Sequence, residues 1–307
     1  MKVQALIPCF NESDFINDCI SSLLDSEVPE FVDFEILVSD NASTDNTAEI
    51  ASIWGSKNSK VKLFKQQQNI GARKNWLFLV NQSDADWIFF IDAHDFVEKG
   101  YIAKAISSSI ASQSATIGRE IENWVLETGT FKKNHSGYYK FSPNKSLRVI
   151  QSVLYLSHNT ICHALIPRKT IENAILENSK VLSFDLLVTY LFLGQVNLQY
   201  MEKNYFRRYI PNLDGEYSAQ NSAGVIESRQ TRVSGATSEN LDDSLLAEEF
   251  RRLMSDRHPS LLISICSRIL VMKHSKNGLQ KILFRAIRWS FGVLTPWKAW
   301  VLYANEA

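Results

Sequence analysis

Residues Trp87 to Asp95 read Trp-Ile-Phe-Phe-Ile-Asp-Ala-His-Asp, a run of five large apolar residues that ends abruptly on two acids and a histidine. A run this short, rich in aromatic and β-branched side chains, suits a strand buried on both faces in the middle of a parallel sheet. Such a strand needs helices on both sides, which directs the chain to an α/β architecture. Ligands of open α/β sheets bind beyond the carboxyl ends of the strands. Asp92, His94 and Asp95 would therefore be presented where a cation or a phosphate lies. Read alone, the same residues equally suit a capping loop between a buried strand and a helix.

The first hundred residues alternate strand and helix signals with short connections, the pattern of a parallel sheet with crossover helices. Val3 to Pro8 reads as a strand, and Phe15, Ile16, Cys19, Ile20, Leu23 and Leu24 mark one face of the helix behind it. Phe34 to Ser39 is a second strand, and Ser43 or Thr44 is placed to cap a helix through Trp54. Val61 to Phe64 is a third, leading into a helix with Trp76, Leu77 and Val80. Trp87 to Ile91 is the fourth, with a helix over Gly100 to Ser112 behind it. Further on the pattern loosens. Strand-like pieces lie near Trp124 to Phe131, Cys162 to Ile166 and Val196 to Tyr200, with helices near Asn144 to Leu154, Lys169 to Ser179 and Phe184 to Leu193. Residues 211–240, rich in Ser, Asn, Gly and Thr, read as a mobile loop, after which helical patterning resumes.

Composition removes several classes of function. With 307 residues and 45% hydrophobic content the chain can bury a large core. No apolar stretch approaches the ~18 residues of a spanning helix, and the apolar run after Met1 is too short for a signal peptide, so a cytoplasmic location is expected. Zero net charge argues against a nucleic-acid binder held by phosphate electrostatics. Cys9, Cys19, Cys162 and Cys266 are far apart and form no zinc knuckle, so buried thiols are expected. The zero conceals an asymmetry: residues 257–307 hold eight Lys and Arg against the single acid Glu306, a formal +7, leaving −7 for the rest.

An alternating start suggests a nucleotide, and the first turn says how it is held. That turn, Pro8-Cys9-Phe10-Asn11-Glu12, has no glycine, so the Gly-x-Gly-x-x-Gly cradle for a dinucleotide is absent, and no Gly-x-x-x-x-Gly-Lys loop exists. A diphosphate bound without either can be neutralised by a divalent cation on carboxylates, which returns attention to Asp92.

At this point the residues resemble the family 2 glycosyltransferases of GT-A fold. Ile7-Pro8-Cys9-Phe10-Asn11-Glu12 is similar to their first-strand turn, and Ser39-Asp40-Asn41-Ala42-Ser43-Thr44-Asp45 to their Asp-Asp-Gly-Ser-Thr-Asp segment. Asn69-Ile70-Gly71-Ala72-Arg73-Lys74-Asn75 matches a third motif, and Asp92-Ala93-His94-Asp95 stands where the family has Asp-x-Asp-Asp. The resemblance implies a Rossmann-like, mostly parallel sheet flanked by helices, with a helical C-terminal extension. It divides the chain into a catalytic domain over 1–210 (nucleotide-sugar half 1–100, acceptor half 101–210), the loop 211–240 and a basic helical extension over 241–307. By the same resemblance Pro8 and Phe10 line the base pocket, with the Phe10 ring on uracil and Asp40 accepting the uracil N3 proton. Arg73 lies beside the base or phosphates, and Asp92 near the ribose and the metal-bound diphosphate. An aromatic face, a carboxylate and a guanidinium suffice chemically for those tasks.

The chain departs from the family at two places. Ala42 replaces a turn glycine, which alters the turn alone. His94 replaces an aspartate on the metal side. Imidazole suits manganese better than magnesium, so Asp92 and His94 are expected to hold Mn²⁺ in preference to Mg²⁺. An inverting transfer also needs a carboxylate base for the acceptor hydroxyl. The family carries it at a helix start matched here by Ser183-Phe184-Asp185-Leu186-Leu187, which nominates Asp185; a helix-start acid is also favoured by the dipole alone. His158, His163, Arg229 and Arg232 are nearby polar residues without an assigned role.

In the tail, Leu279, Ile282, Leu283, Ala286, Ile287 and Val293 share one helical face, and Lys281, Arg285 and Arg288 another. With Trp289, Trp297, Trp300 and Tyr303, residues 279–303 resemble an interfacial helix for anionic lipid, or one that packs on its own catalytic domain or a partner subunit. The implied function is a metal-assisted, inverting transfer of a sugar from a UDP-sugar to a glycan or lipid-linked saccharide, in polysaccharide biosynthesis, in the cytoplasm or peripherally on the inner membrane face. Sugar-nucleotide pyrophosphorylases need a glycine-rich, arginine-bearing first loop that is missing. A degenerate GT-A domain that binds nucleotide or glycan without transfer is the alternative.

Overall fold

The computed structural model describes residues 1–118, 121–125, 130–133, 141–155, 160–171, 184–209, 243–274 and 277–294. The expected loop 211–240, with Arg229 and Arg232, and also His158, Trp297, Trp300 and Tyr303, lie outside the described residues.

Strand β1 (Lys2–Cys9) sits at the centre because nearly every one of its side chains is buried. It pairs in parallel with β2 (Asp33–Asp40), from Lys2 opposite Asp33 to Cys9 opposite Asp40, and on its other edge with β4 (Trp87–Phe90), where Leu6 lies opposite Phe90. Strand β3 (Val61–Lys65) extends the sheet beyond β2. Strands β6 (Ala115–Gly118), β9 (Leu165–Pro167) and β10 (Leu198–Met201) complete a seven-stranded sheet in the order β10-β6-β9-β4-β1-β2-β3. Only β9 runs against its neighbours. The chain leaves β1 toward β2 and β3, then returns to β4 on the opposite side, so the sheet's switch point lies beside β1. A smaller sheet, in the order β5-β11-β7-β8, joins β5 (Asp95–Val97), β7 (Ile121–Val125), β8 (Thr130–Lys133) and β11 (Tyr205–Tyr209).

The α/β architecture expected from the sequence is therefore present, and β4 is buried on both faces as its composition requires. Trp76 stacks on Phe90 at 4.2 Å and 13° on one side, while Phe89 meets Tyr101 and Tyr205 on the other. Helix α1 (Ile16–Leu24) buries Ile16, Cys19, Ile20 and Leu23 at helical spacing. Helices α2 (Thr47–Lys57), α3 (Ala72–Gln82) and α4 (Tyr101–Ser112) follow in the expected places. The cap of α2 differs from expectation. Asp45 Oδ1 accepts the Thr47 backbone N–H at 3.0 Å, and Ser43 Oγ instead accepts the Asn11 N–H at 2.9 Å. All four cysteines are buried.

The acceptor half differs more. Thr160–His163 is a 3-10 turn, and of the expected Cys162–Ile166 strand only Leu165 and Ile166 lie in β9 (Leu165–Pro167), a short antiparallel insert between β4 and β6. Residues 168–170 form another 3-10 turn, and residues 172–179 of the helix expected near Lys169 to Ser179 lie outside the described residues. Helices α5 (Lys145–Tyr155), α6 (Phe184–Leu193), α7 (Asp243–Met254) and α8 (Ser260–His274) form a layer in which α8 packs on α5 and α7 on α6. Tyr190 meets the buried Phe250 edge-on at 5.5 Å, a side chain whose burial contributes roughly 1.5–3 kcal/mol. The buried Arg148 of α5 donates from Nε to Leu193 O (2.6 Å), satisfying the last carbonyl of α6 with a cation, and from a terminal nitrogen to Ser142 O (2.9 Å) in the loop before α5. Helix α9 (Gly278–Leu294) packs on α8 through Phe284 and Ile287. That splits the expected apolar face: Leu279, Ile282 and Leu283 are 74%, 64% and 50% exposed. Among the described residues no helix is long and apolar enough to cross a membrane.

Ala42 adopts φ +60°, the left-handed region a glycine enters without strain. Relief of that strain, less the added freedom of the unfolded chain, predicts that Ala42→Gly stabilises by roughly 0.5–1 kcal/mol. A urea titration reads this as a raised midpoint at unchanged slope; a lowered midpoint contradicts it.

Candidate active site

The carboxyl ends of β1, β2 and β4 stop side by side, which brings together residues far apart in sequence. Pro8 lies opposite Ser39, and Cys9 opposite Asp40. Asp40 is 3% exposed: its Oδ2 accepts the Ser43 N–H at 3.2 Å, whereas Oδ1 is buried without a hydrogen-bond partner. Leaving a buried carboxylate oxygen unsatisfied costs about 1–3 kcal/mol or more, so it marks a place where a donor belongs. Phe10 follows β1, half-buried.

Beyond these strand ends the loops are stitched to one another. Asn11 takes φ +54°, and its Oδ1 accepts the Thr44 N–H at 2.8 Å. Thr47 Oγ1 accepts the Glu12 N–H at 2.7 Å, and Asp45 Oδ2 the Ser13 N–H at 3.1 Å. Burial pushes the Asp45 carboxyl up, and hydrogen bonds from Thr47 and Ser13 outweigh it, leaving the group below the ordinary carboxylate range. The third motif is clipped on in the same way. Asn41 exchanges hydrogen bonds with Asn69 Oδ1 and the Ile70 N–H, both at 2.9 Å, and Asn75 pairs with Ser39 through Oδ1 and Nδ2. Gly71, at φ +82° and ψ 153°, turns the chain into α3, whose first turn carries the half-buried Arg73.

The third group is the acidic end of β4. One donor atom from each of Asp92, His94 and Asp95 lies within 4.8 Å of the others, a spacing that suits one cation. Asp95 is buried, and its Oδ2 accepts the Tyr205 hydroxyl at 2.6 Å, which fixes the carboxylate. His94 Nδ1 lies 3.0 Å from Glu12 Oε1, and Nε2 lies 3.9 Å from Asp95 Oδ1. Burial alone would lower the His94 pKa, but Glu12, Asp95 and Asp92 together raise it to about 9. The cation-free imidazole therefore holds a proton near neutral pH, and a bound cation must displace it. Glu12 Oε2 is likewise buried without a partner, so negative charge exceeds its local compensation. Two carboxylates and an imidazole form a mixed O/N donor set suited to manganese and later transition ions.

Asp185 is the second residue of α6, and its side chain lies outside the described residues. Helix α6 packs against the Thr160–His163 turn. Glu12 was missed as the partner of His94 although it stands in the first motif, and Asp95, placed with Asp92 and His94 at the strand end but not named as a metal ligand, joins their cluster. His163 had no role, yet its Nε2 comes within 4.0 Å of Asp92 Oδ2.

Residues 5–173, more than half of the chain, match the family described as Glycosyl transferase family 2. The chain belongs to glycosyltransferase family 2. A poly(ribitol-phosphate) beta-glucosyltransferase of Bacillus spizizenii is 28% identical over 123 residues, 39% of this chain and 19% of that protein. The aligned part thus spans about a fifth of that relative. Among solved structures, TarS 1–349 of S. aureus superposes with a TM-score of 0.55 at 18% identity, covering 95% of this chain and 89% of that one. The same protein in complex with UDP-GlcNAc gives 0.50 at 18% identity, covering 89% and 79%. A mannosyltransferase of Pyrobaculum calidifontis in complex with GDP-Man and Mn²⁺ gives 0.50 at 12% identity, covering 97% and 82%.

Proposed function

We propose that this family 2 chain transfers a sugar from a UDP-sugar to a saccharide or lipid-linked saccharide, with inversion and with a divalent cation at Asp92 and His94. The observation that carries the reading is the partnerless, buried Asp40 Oδ1 on the strand beside β1, one strand away from the carboxylate and imidazole cluster that follows β4. One end of such a crevice accepts a uracil N3–H and the other neutralises a diphosphate. The complexes of TarS with UDP-GlcNAc and of the mannosyltransferase with GDP-Man and Mn²⁺ support a nucleotide-sugar donor and a divalent cation on this fold.

In this reading the Phe10 ring stacks on the base, with Pro8 beside it, and Arg73 meets the base edge or the phosphates. The cation, when bound, offsets the charge that develops on the leaving diphosphate. Asp185 takes the proton of the acceptor hydroxyl as its oxygen attacks the anomeric carbon. The bond from that carbon to UDP breaks as the new one forms, and UDP leaves with the electron pair. The imidazole of His94 favours Mn²⁺ over Mg²⁺.

The exposed Leu279, Ile282 and Leu283, flanked by the exposed Lys281 and Arg285 in a segment of formal charge +7, match an anionic bilayer in both apolar area and sign. That surface would hold the enzyme peripherally at the inner membrane face, where a lipid-linked acceptor is reached.

Asp185→Asn is expected to lower transfer and UDP release by about 10²- to 10⁴-fold with UDP binding retained; unchanged turnover refutes the base assignment, and UDP binding without turnover in the parent protein identifies a degenerate domain. For the surface, co-sedimentation with phosphatidylglycerol vesicles, and not with phosphatidylcholine vesicles, is expected and should be lost in Leu279→Ser/Ile282→Ser/Leu283→Ser. Sedimentation that survives the triple change contradicts the lipid role.

A further inference from the structure

Asp40 stands between two residues that fasten the third motif to the end of β2. On one side the buried Ser39 gives its hydroxyl hydrogen to Asn75 Oδ1 at 2.6 Å, while Asn75 Nδ2 donates to Ser39 O at 2.9 Å and Gln66 Nε2 to Ser39 Oγ at 3.1 Å. On the other side Asn41 Oδ1 accepts the Ile70 N–H and Asn41 Nδ2 donates to Asn69 Oδ1, both at 2.9 Å. Asp40 Oδ1, between them, has no partner.

Apolar packing does little to fix the start of α3. None of residues 67–74 is buried, and a Cβ added at Gly71 would meet nothing within 4 Å. Asn75, 2% exposed, is the first buried residue of the helix, and the adjoining Trp76 stacks on Phe90. Trp76 thus docks the body of α3, and Asn75 ties its first turn to β2. Arg73 lies in that turn, half-buried and, among the described residues, without a hydrogen bond or ion pair. In a loop free to move, a guanidinium and a carboxylate oxygen that both lack partners would draw together. Here hydrogen bonds on both sides of Asp40 fix where the loop lies.

We infer that Asn75 is a positioning residue, whose reciprocal hydrogen bonds with Ser39 hold Arg73 at the crevice, unpaired with Asp40, so that both remain open to a nucleoside diphosphate. The inference rests on the reading above in which Asp40 and Arg73 bind UDP, and deepens it. Asp40 does not depend on Asn75 for its own place, because β2 is paired along its length by β1 and across its end by β3. Loss of Asn75 therefore removes the contribution of Arg73 and leaves that of Asp40.

Calorimetric titration of UDP with Mn²⁺ into the full chain and its variants tests this through a double-mutant cycle. Arg73→Ala and Asn75→Ala are each expected to weaken UDP binding about tenfold, the order of one hydrogen bond to a charged group. Combined, they should lose no more than Arg73→Ala alone, within about twofold, because Asn75 acts through Arg73. The preference for UDP over CDP, set by Asp40, should survive in Asn75→Ala, whereas a collapsed crevice would lose it together with affinity. Circular dichroism checks folding, and Asn75→Ser carries the same cycle if the alanine variant does not fold. Losses that multiply in the double variant, or an Asn75→Ala protein that binds UDP as the parent does, overturn the inference and leave Asp40 and Arg73 their roles. A parent protein that binds no UDP, or an Arg73→Ala protein that binds it unchanged, overturns the reading of the crevice and the role of Asn75 with it.

Discussion

Everything at the site depends on the pairing of the central strand. β1 is hydrogen-bonded in parallel to β2 along its whole length and to β4 on its other edge, and its side chains are buried among α1, α3 and the flanking strands. With both faces covered, a one-residue shift exchanges the side chains packed on the two faces, so the packing of each face holds the register. That fixed register carries Cys9, Asp40 and Phe90 toward one end of the sheet, so the residues just beyond them converge, and hydrogen bonds between the loops then hold them there.

What converges is an excess of acid. Asp40, Glu12, Asp92 and Asp95 gather at the strand ends, and two of them keep a buried oxygen without a partner. Charge of one sign in a half-buried place is costly unless something positive shares it. In the free protein His94 takes up part of that load by holding a proton to about pH 9, and a divalent cation is the kind of ligand that would share the rest. The structure thus spends stability at the crevice that the buried aromatic core around β4 supplies.

The first half of the fold was legible in the sequence because its signals are local. Strand runs, helical spacing and four short motifs each lie within about a dozen residues, and Asn41, Asn69 and Asn75 then clip the motifs together. The antiparallel direction of β9 was not legible, since three apolar residues carry no information about direction. The partners of the two histidines near the strand ends were hidden for a related reason: Glu12 and His94 are 82 residues apart, and His163 reaches Phe90 across 73. Ala42 was read as a tolerated change of turn, and the structure adds that its backbone sits where alanine is strained. Asp185 stands at the expected helix start, so the helix was legible.

The account's central claim is that one crevice reads a uracil with Asp40 while carboxylates and imidazole hold a cation and diphosphate. Calorimetric titration of UDP, CDP and GDP, with and without Mn²⁺, into the parent protein and Asp40→Asn tests it most directly. The account predicts Mn²⁺-dependent binding that favours UDP, and a loss of about ten- to hundredfold in Asp40→Asn, the worth of a hydrogen bond to a charged acceptor. Equal affinity for the three nucleotides, or UDP binding unchanged in Asp40→Asn, would contradict it.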